Sequence, residues 1–199
     1  MTNQIKLPAP FLTGEISLEQ AIKERHSVRR YKNESLCLSE IGQLLWACQG
    51  MVNEYGFRTV PSAGAVYPIE IYLAVNNIDK LIAGIYKYHP QDHSLEPIIE
   101  GDKKTELCKA AKQQPCVSSA AANVIICGDY NLVIKKYGPH SAKYVDMEAG
   151  CASQNLHLQA TTLGLGTVFV AGFNPDDIAE IIDCLKNETP ICIMPVGKK

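Results

Sequence analysis

The sequence predicts an α+β fold in a single domain spanning residues 1–199, on three observations. Apolar side chains alternate with other residues over positions 69–75, the two-residue period of a strand. Ala149, Ala152, Leu156, Ala160 and Leu163 step by three and four, the period of a helix face. Strands and helices then mix without a strict strand–helix–strand rhythm, which sets helices around a central sheet. A chain of 199 residues corresponds to about one domain, and that length buries roughly 70% of its unfolded surface without staples.

Each element has its own warrant. Ser17-Leu18-Glu19-Gln20 reads as a capping box, Ser17 capping and Gln20 reaching back, at the start of a helix that runs to about Arg25. Ser39 is expected to cap a second helix, with Ile41, Leu44, Leu45 and Cys48 at helical spacing and Gly50 as its stop. Residues 69–75 form a strand. Residues 81–88 form another, which pairs with 95–99 across the turn at His89-Pro90-Gln91-Asp92. Residues 103–113 read as helix and 123–127 as a short buried strand. The long helix covers 144–163, ends at Gly164, and carries small residues (Ala149, Gly150, Ala152, Ser153) that admit a close neighbour. A strand at 167–170, a helix at 175–185 and a strand at 190–196 complete the chain.

Composition excludes several function classes. Hydrophobic residues make up 46% and charged ones 20%, which is globular rather than disordered. Nineteen Lys and Arg against 21 Asp and Glu leave a charge of −2, which argues against a general nucleic-acid or anionic-membrane binder. No apolar run reaches the ~18 residues of a membrane helix. The first ten residues do not read as a secretory signal, so a cytoplasmic location with reduced thiols is expected. The eight cysteines lack clustered metal or redox spacing and sit mostly in apolar runs, as core residues do. His89 and His93 are four apart, but Pro90 and the turn break the helix that would align them, so no metal site is expected.

Four segments could carry chemistry. Arg25-His26-Ser27-Val28-Arg29-Arg30-Tyr31 places two guanidiniums about a hydroxyl, a set suited to a doubly charged phosphate; a helix end complementing its own dipole is the plainer reading. Pro61, Ser62, Ala63 and Gly64 open a loop of small residues closed by Pro68, against which a flat ring could lie; an ordinary turn into a strand is the alternative. The 164–174 segment has no dinucleotide-binding glycine fingerprint, but its Ala171-Gly172 pair could offer a backbone N–H to a pocket. Lys198 and Lys199 are either a solvated tail or further cations for a phosphate. His26 is expected to hold local backbone, and His157 to be a core or interface histidine.

The order and spacing of these motifs resemble the nitroreductase family of FMN proteins. They run from Arg25-His26-Ser27-Val28-Arg29 through Leu44-Leu45-Trp46-Ala47-Cys48-Gln49-Gly50 and Pro61-Ser62-Ala63-Gly64-Ala65-Val66-Tyr67-Pro68. Gln154-Asn155-Leu156, Gly164-Leu165-Gly166 and Pro195-Val196-Gly197 follow. Within that family the chain is most similar to the SagB-type dehydrogenases. The resemblance covers about residues 7–199. It implies a central, mainly antiparallel sheet flanked by helices, and a homodimer with FMN sites at the subunit interface.

By that resemblance Arg25, His26 and Ser27 would lie at the FMN phosphate and ribityl chain, and Arg29 near the pyrimidine edge, where a cation stabilises charge on the reduced flavin. Pro61, Ser62, Ala63 and Gly64 of the other subunit would cover the flavin. Ala171 and Gly172 would lie near its hydride-accepting nitrogen, and Lys198 and Lys199 would be phosphate partners. The implied activity is ping-pong hydride transfer from NADH or NADPH to a small organic acceptor, such as a nitro compound or quinone. Lys135-Lys136-Tyr137-Gly138 further resembles the Lys-Tyr-Gly stretch of azoline-oxidising members, where Lys136 and Tyr137 would serve proton removal; a solvated loop is the plainer reading. Two other readings are an azoline or C–N dehydrogenase whose FMN is reoxidised by dioxygen, and a flavin-binding protein with little turnover.

Overall fold

The computed structural model describes residues 4–199. Its elements are β1 (Ile5–Lys6), α1 (Leu18–Glu24), α2 (Leu38–Gln49), β2 (Ile69–Val75), β3 (Gly84–His89), β4 (Ser94–Glu100), α3 (Lys104–Ala110) and α4 (Pro115–Ser119). Then come β5 (Ala122–Asp129), α5 (Tyr130–Tyr137), α6 (Ser141–Thr162), β6 (Leu165–Thr167), α7 (Pro175–Ile182) and β7 (Glu188–Lys198). One sheet takes the order β1-β4-β3-β2-β5-β7-β6, and every pairing in it is antiparallel.

Both faces of the sheet are covered. Ile69, Ile71, Leu73 and Val75 of β2 face a core shared with Ile41, Leu44 and Leu45 of α2 and Ala149, Ala152 and Leu156 of α6. Tyr72 and Ala74 face a second core with Leu107, Val117, Ile178 and Ile182 from α3, α4 and α7. The alternation seen in the sequence therefore separates two cores rather than core from water, as the middle of a three-layer structure requires. The small face of α6 is used as expected: the Cys48 thiol of α2 lies 3.7 Å from the Ala152 carbonyl. All eight cysteines are free. Among the described residues no helix is long and apolar enough to cross a membrane, and no cluster of His, Cys, Asp or Glu could hold a metal. His89 instead pairs with Glu96 at 2.7 Å.

The structure corrects the local expectations at several ends. Ser17 caps α1 by accepting from the Gln20 N–H at 3.2 Å, but the Gln20 amide bonds forward to Glu24 at 3.0 Å instead of reaching back. The cap of α2 is Cys37, not Ser39, because Glu40 accepts from the Cys37 N–H at 2.9 Å and fixes the start. Gly50 stops that helix in an extended rather than left-handed conformation; a Cβ there would lie 2.6 Å from Trp46 Cγ. β3 begins at Gly84, since Lys80 turns through a left-handed φ of 62° and Leu81 bridges back to Ile78.

Residues 135–138 are not a loop. Asp129 caps α5 by accepting from the N–H groups of Asn131 and Leu132, at 2.9 and 3.3 Å, and Lys136 and Tyr137 sit in its last turn. The strand expected at 167–170 lies at Leu165–Thr167, after which the chain leaves the edge and returns only as a bridge between Val170 and Ile193. α7 ends at Ile182, because Asp183 takes a left-handed φ of 49°.

Candidate functional site

The chain leaves α1 at Arg25 and runs alongside the edge of the sheet. Val28 N–H donates to the Thr167 carbonyl and Lys32 N–H to the Lys198 carbonyl, both at 2.9 Å. Two glycines allow this approach: a Cβ on Gly166 would lie 2.6 Å from Val28 Cγ1, and one on Gly197 would lie 2.8 Å from Tyr31 Cβ. The Tyr31 hydroxyl lies 2.8 Å from the Val28 carbonyl and 3.2 Å from that of Pro195, which closes the segment onto β7; burial raises this phenol well above its ordinary range. Three motifs distant in sequence thus form one rigid edge.

On that edge Arg25 is half-buried, while Ser27 and Arg29 are exposed. Neither guanidinium has an ion-pair partner among the described residues. His26 Nδ1 lies 2.8 Å from the Glu24 carbonyl, so that nitrogen carries the proton and donates. It holds local backbone, as its position suggested. Burial, with the nearby charge of Arg25, lowers His157 of α6 to about 4, so this imidazole is neutral. Thr167 Oγ1 is buried at the same edge without a hydrogen-bond partner. Lys198 is held by Glu40 of α2, whereas Lys199 is exposed at the end of the chain. Two unmatched guanidiniums around a free hydroxyl fit a phosphate dianion better than does a lysine already neutralised by a carboxylate.

Ala171 and Gly172 are exposed. Their turn is held by Gln114, which donates from Nε2 to the Gly172 carbonyl at 3.0 Å and to that of Ala111 at 3.1 Å. The Arg29 charge also reaches Cys116, two residues further on in α4. α4 and the Gln114 that precedes it are thus near both Arg29 and Gly172.

The 61–67 loop forms a separate cluster. Gly64, Ala65 and Tyr67 have φ of 59°, 54° and 53°, so two side-chain-bearing residues sit in the left-handed region. The Tyr67 N–H donates to Ser62 Oγ at 2.8 Å, and Arg58 lies 4.8 Å from the centre of the Tyr67 ring. Lys136 donates from Nζ to the Gly64 carbonyl at 3.0 Å. A Cβ on Gly64 would lie 2.6 Å from the Tyr137 hydroxyl, and that ring stands edge-on to Tyr144 at 4.9 Å. Among the described residues no hydrogen bond or ion pair joins this cluster to the Arg25–Arg29 edge.

The frame is therefore an all-antiparallel sheet between two helical layers, with a cationic segment docked on its edge. The chain belongs to the nitroreductase family, whose sequence profile matches residues 22–198. It is 41% identical over 198 residues to a Methanocaldococcus jannaschii protein that carries a nitroreductase name, covering 100% of this chain and 98% of that one. A Ralstonia eutropha crystal structure, also named for a nitroreductase, superposes with a TM-score of 0.87 at 26% identity, covering 98% of this chain and 89% of that one. An FMN reductase (NADPH) of Bacillus subtilis is 23% identical over 143 residues, covering 63% of this chain and 57% of that protein. The Escherichia coli microcin synthetase McbBCD complex, with truncated pro-MccB17 bound, contains the same fold at a TM-score of 0.76 and 22% identity, covering 99% of this chain and 79% of that one.

Sequence reasoning thus picked segments that the fold does bring to surfaces, but it gave no role to Gln114, Arg58, Gln49 or Glu148. For Glu148 a signal was present. It sits next to Ala149 on the apolar stripe of the long helix, where a carboxylate is out of place unless it has a task.

Proposed function

We propose that this chain is an FMN-dependent oxidoreductase that takes hydride from NADH or NADPH and delivers it to a small organic acceptor, such as a nitro compound or quinone, working as a homodimer. The observation that carries this reading is the docked edge, where Arg25 and Arg29 flank Ser27 and pair with no carboxylate among the described residues. Arg25 and Ser27 would hold the FMN phosphate, with His26 fixing the turn between them. Arg29 and the Ala171–Gly172 turn, both near α4, would face the ring system. Lys199 would add charge at the phosphate, and Lys198 would do so once released by Glu40. FMN, when bound, supplies the hydride-accepting and hydride-donating ring.

The homodimer is supported by what one chain leaves separate. The 61–64 segment, which would cover the flavin, makes no hydrogen bond to the cationic edge of its own chain among the described residues. A groove of about 950 Å³ between residues 11–16, α1, α2 and α6 is lined by Phe11, Leu12, Trp46 and Val52. Of its lining, Phe11, Leu12, Leu18 and Val52 are exposed. These are the apolar surfaces a second copy would bury.

A second reading, an azoline or C–N dehydrogenase, is favoured by one observation: Lys136 and Tyr137 both converge on Gly64, in the loop that would cover the flavin. There Lys136 would take or hold the proton that substrate oxidation releases. Anaerobic mixing of FMN-loaded protein with NADH and with NADPH separates the readings. Rapid loss of flavin absorbance near ~450 nm supports the pyridine-nucleotide oxidoreductase. No loss, with flavin bound, transfers the proposal to the substrate-reduced enzyme. Failure to bind FMN at all overturns both.

A further inference from the structure

Glu148 is a carboxylate placed where the fold has little reason to tolerate one. It is 3% exposed on the core-facing side of α6, yet among the described residues no ion pair reaches it. Its neighbours are Gln49 of α2, Ser62 and the more distant charge of Arg58. The polarity of this group can be worked out. Arg58 Nη1 can only donate, and it lies 2.9 Å from Gln49 Oε1. The Gln49 amide nitrogen is therefore turned to Glu148, at 3.5 Å from Oε1. Ser62 Oγ already accepts from the Tyr67 N–H, so its own proton is free to face the nearby Glu148 carboxylate.

We propose that Glu148 is the positioning residue of the 61–67 loop, holding Arg58 through Gln49 and facing the Ser62 hydroxyl. The loop needs such an anchor. Ala65 and Tyr67 occupy strained backbone conformations, which persist only where surrounding contacts over-determine them. Ser62 ties the strained Tyr67 amide, and the Arg58 guanidinium stacks on the Tyr67 ring and leads back through Gln49 to the buried carboxylate. Burial raises the Glu148 pKa and the donors around it only partly oppose that shift, so its charge is held at a desolvation cost. The assignment rests on the flavin reading only in what the positioned loop is for.

The test separates the two. Amide hydrogen exchange at Tyr67 would be measured in purified protein, with and without added FMN, for wild type, Glu148→Ala, Glu148→Gln, Ser62→Ala and the double variant Glu148→Gln/Ser62→Ala. The expected result is exchange at Tyr67 about tenfold faster or more in each single variant, unchanged protection in the middle of α6, and no further acceleration in the double variant, since groups acting through one contact are not additive. In parallel, FMN affinity falls by the same factor in the single and double variants. Wild-type exchange at Tyr67 in Glu148→Gln overturns the assignment, whatever happens to FMN. So does exchange that rises uniformly across α6 and the loop, which is what a merely stabilising role would give. Accelerated exchange confined to the loop, in a protein that takes up no FMN, upholds the positioning role and overturns the flavin reading.

Discussion

Lys136, in the last turn of α5, donates to the carbonyl of Gly64 at 3.0 Å, and its ammonium lies 5.7 Å from the ring of Tyr137 beside it. Two motifs 72 residues apart therefore meet at one glycine. Lys136 supplies the loop with a charge-assisted bond, and Gly64 supplies the clearance that both side chains need.

Gly64→Ala should lose stability by about 1–2 kcal/mol, since a left-handed residue bearing a Cβ is strained by that much. The Cβ would also displace Lys136 or Tyr137. A lower urea midpoint with an unchanged slope is the expected result. A midpoint equal to wild type would mean that the loop and α5 are not in contact in solution.

Arg25→Ala should weaken FMN binding about 10- to 150-fold, the equivalent of ~1.5–3 kcal/mol for a lost charge-assisted contact. Flavin fluorescence titration measures it. An affinity within twofold of wild type would remove Arg25 from the phosphate site.

Gly166→Ala should act on the same edge without touching a charge. Its Cβ would press on Val28 at 2.6 Å from Cγ1, and overpacking of this kind costs about 1–3 kcal/mol. Melting should drop and FMN affinity should fall with it, as the Arg25–Arg29 segment is pushed off β6. Loss of stability with full FMN affinity would show that the segment's docking does not shape the site.

His157 should contribute to acid sensitivity. Its imidazole titrates near 4 when folded and near 6.5 when unfolded, because burial and Arg25 disfavour the charge. A depressed pKa means that the unfolded chain binds the proton first, so the stabilisation is fully present above pH ~6.5 and is lost as the pH falls towards ~4. The span corresponds to about 3 kcal/mol. In urea unfolding, His157→Gln should flatten the decline between those values; an unchanged acid limb would place the charge elsewhere.

Much of the fold was legible because the strongest elements obey a single period. Residues 69–75 and 144–163 are long enough for their patterns to dominate, and antiparallel hairpins such as β3–β4 are marked by their turn. The misses have local causes. α5 is eight residues long, too short for a helical period to stand out, so Asp129 as its cap is a weaker signal than the loop-like run of Lys, Gly and Pro after it. Ser39 looked like a cap by type, but Cys37 took the position because Glu40 was placed to accept its N–H. The candidate site was legible as motifs and not as contacts. Nothing in the order of residues says that Lys198 meets Glu40, or that Gln49 turns its amide between Arg58 and Glu148, because those pairings exist only once the layers are stacked.

The sheet ends, among the described residues, in its two shortest strands, β1 with two residues and β6 with three. β1 pairs only with Ser94 and Leu95, so among the described residues the outer side of β4 beyond Leu95 has no strand partner. An open stretch of ladder is a template for an incoming chain, and Pro97 within it, which has no N–H to offer, blunts that template without a covering strand.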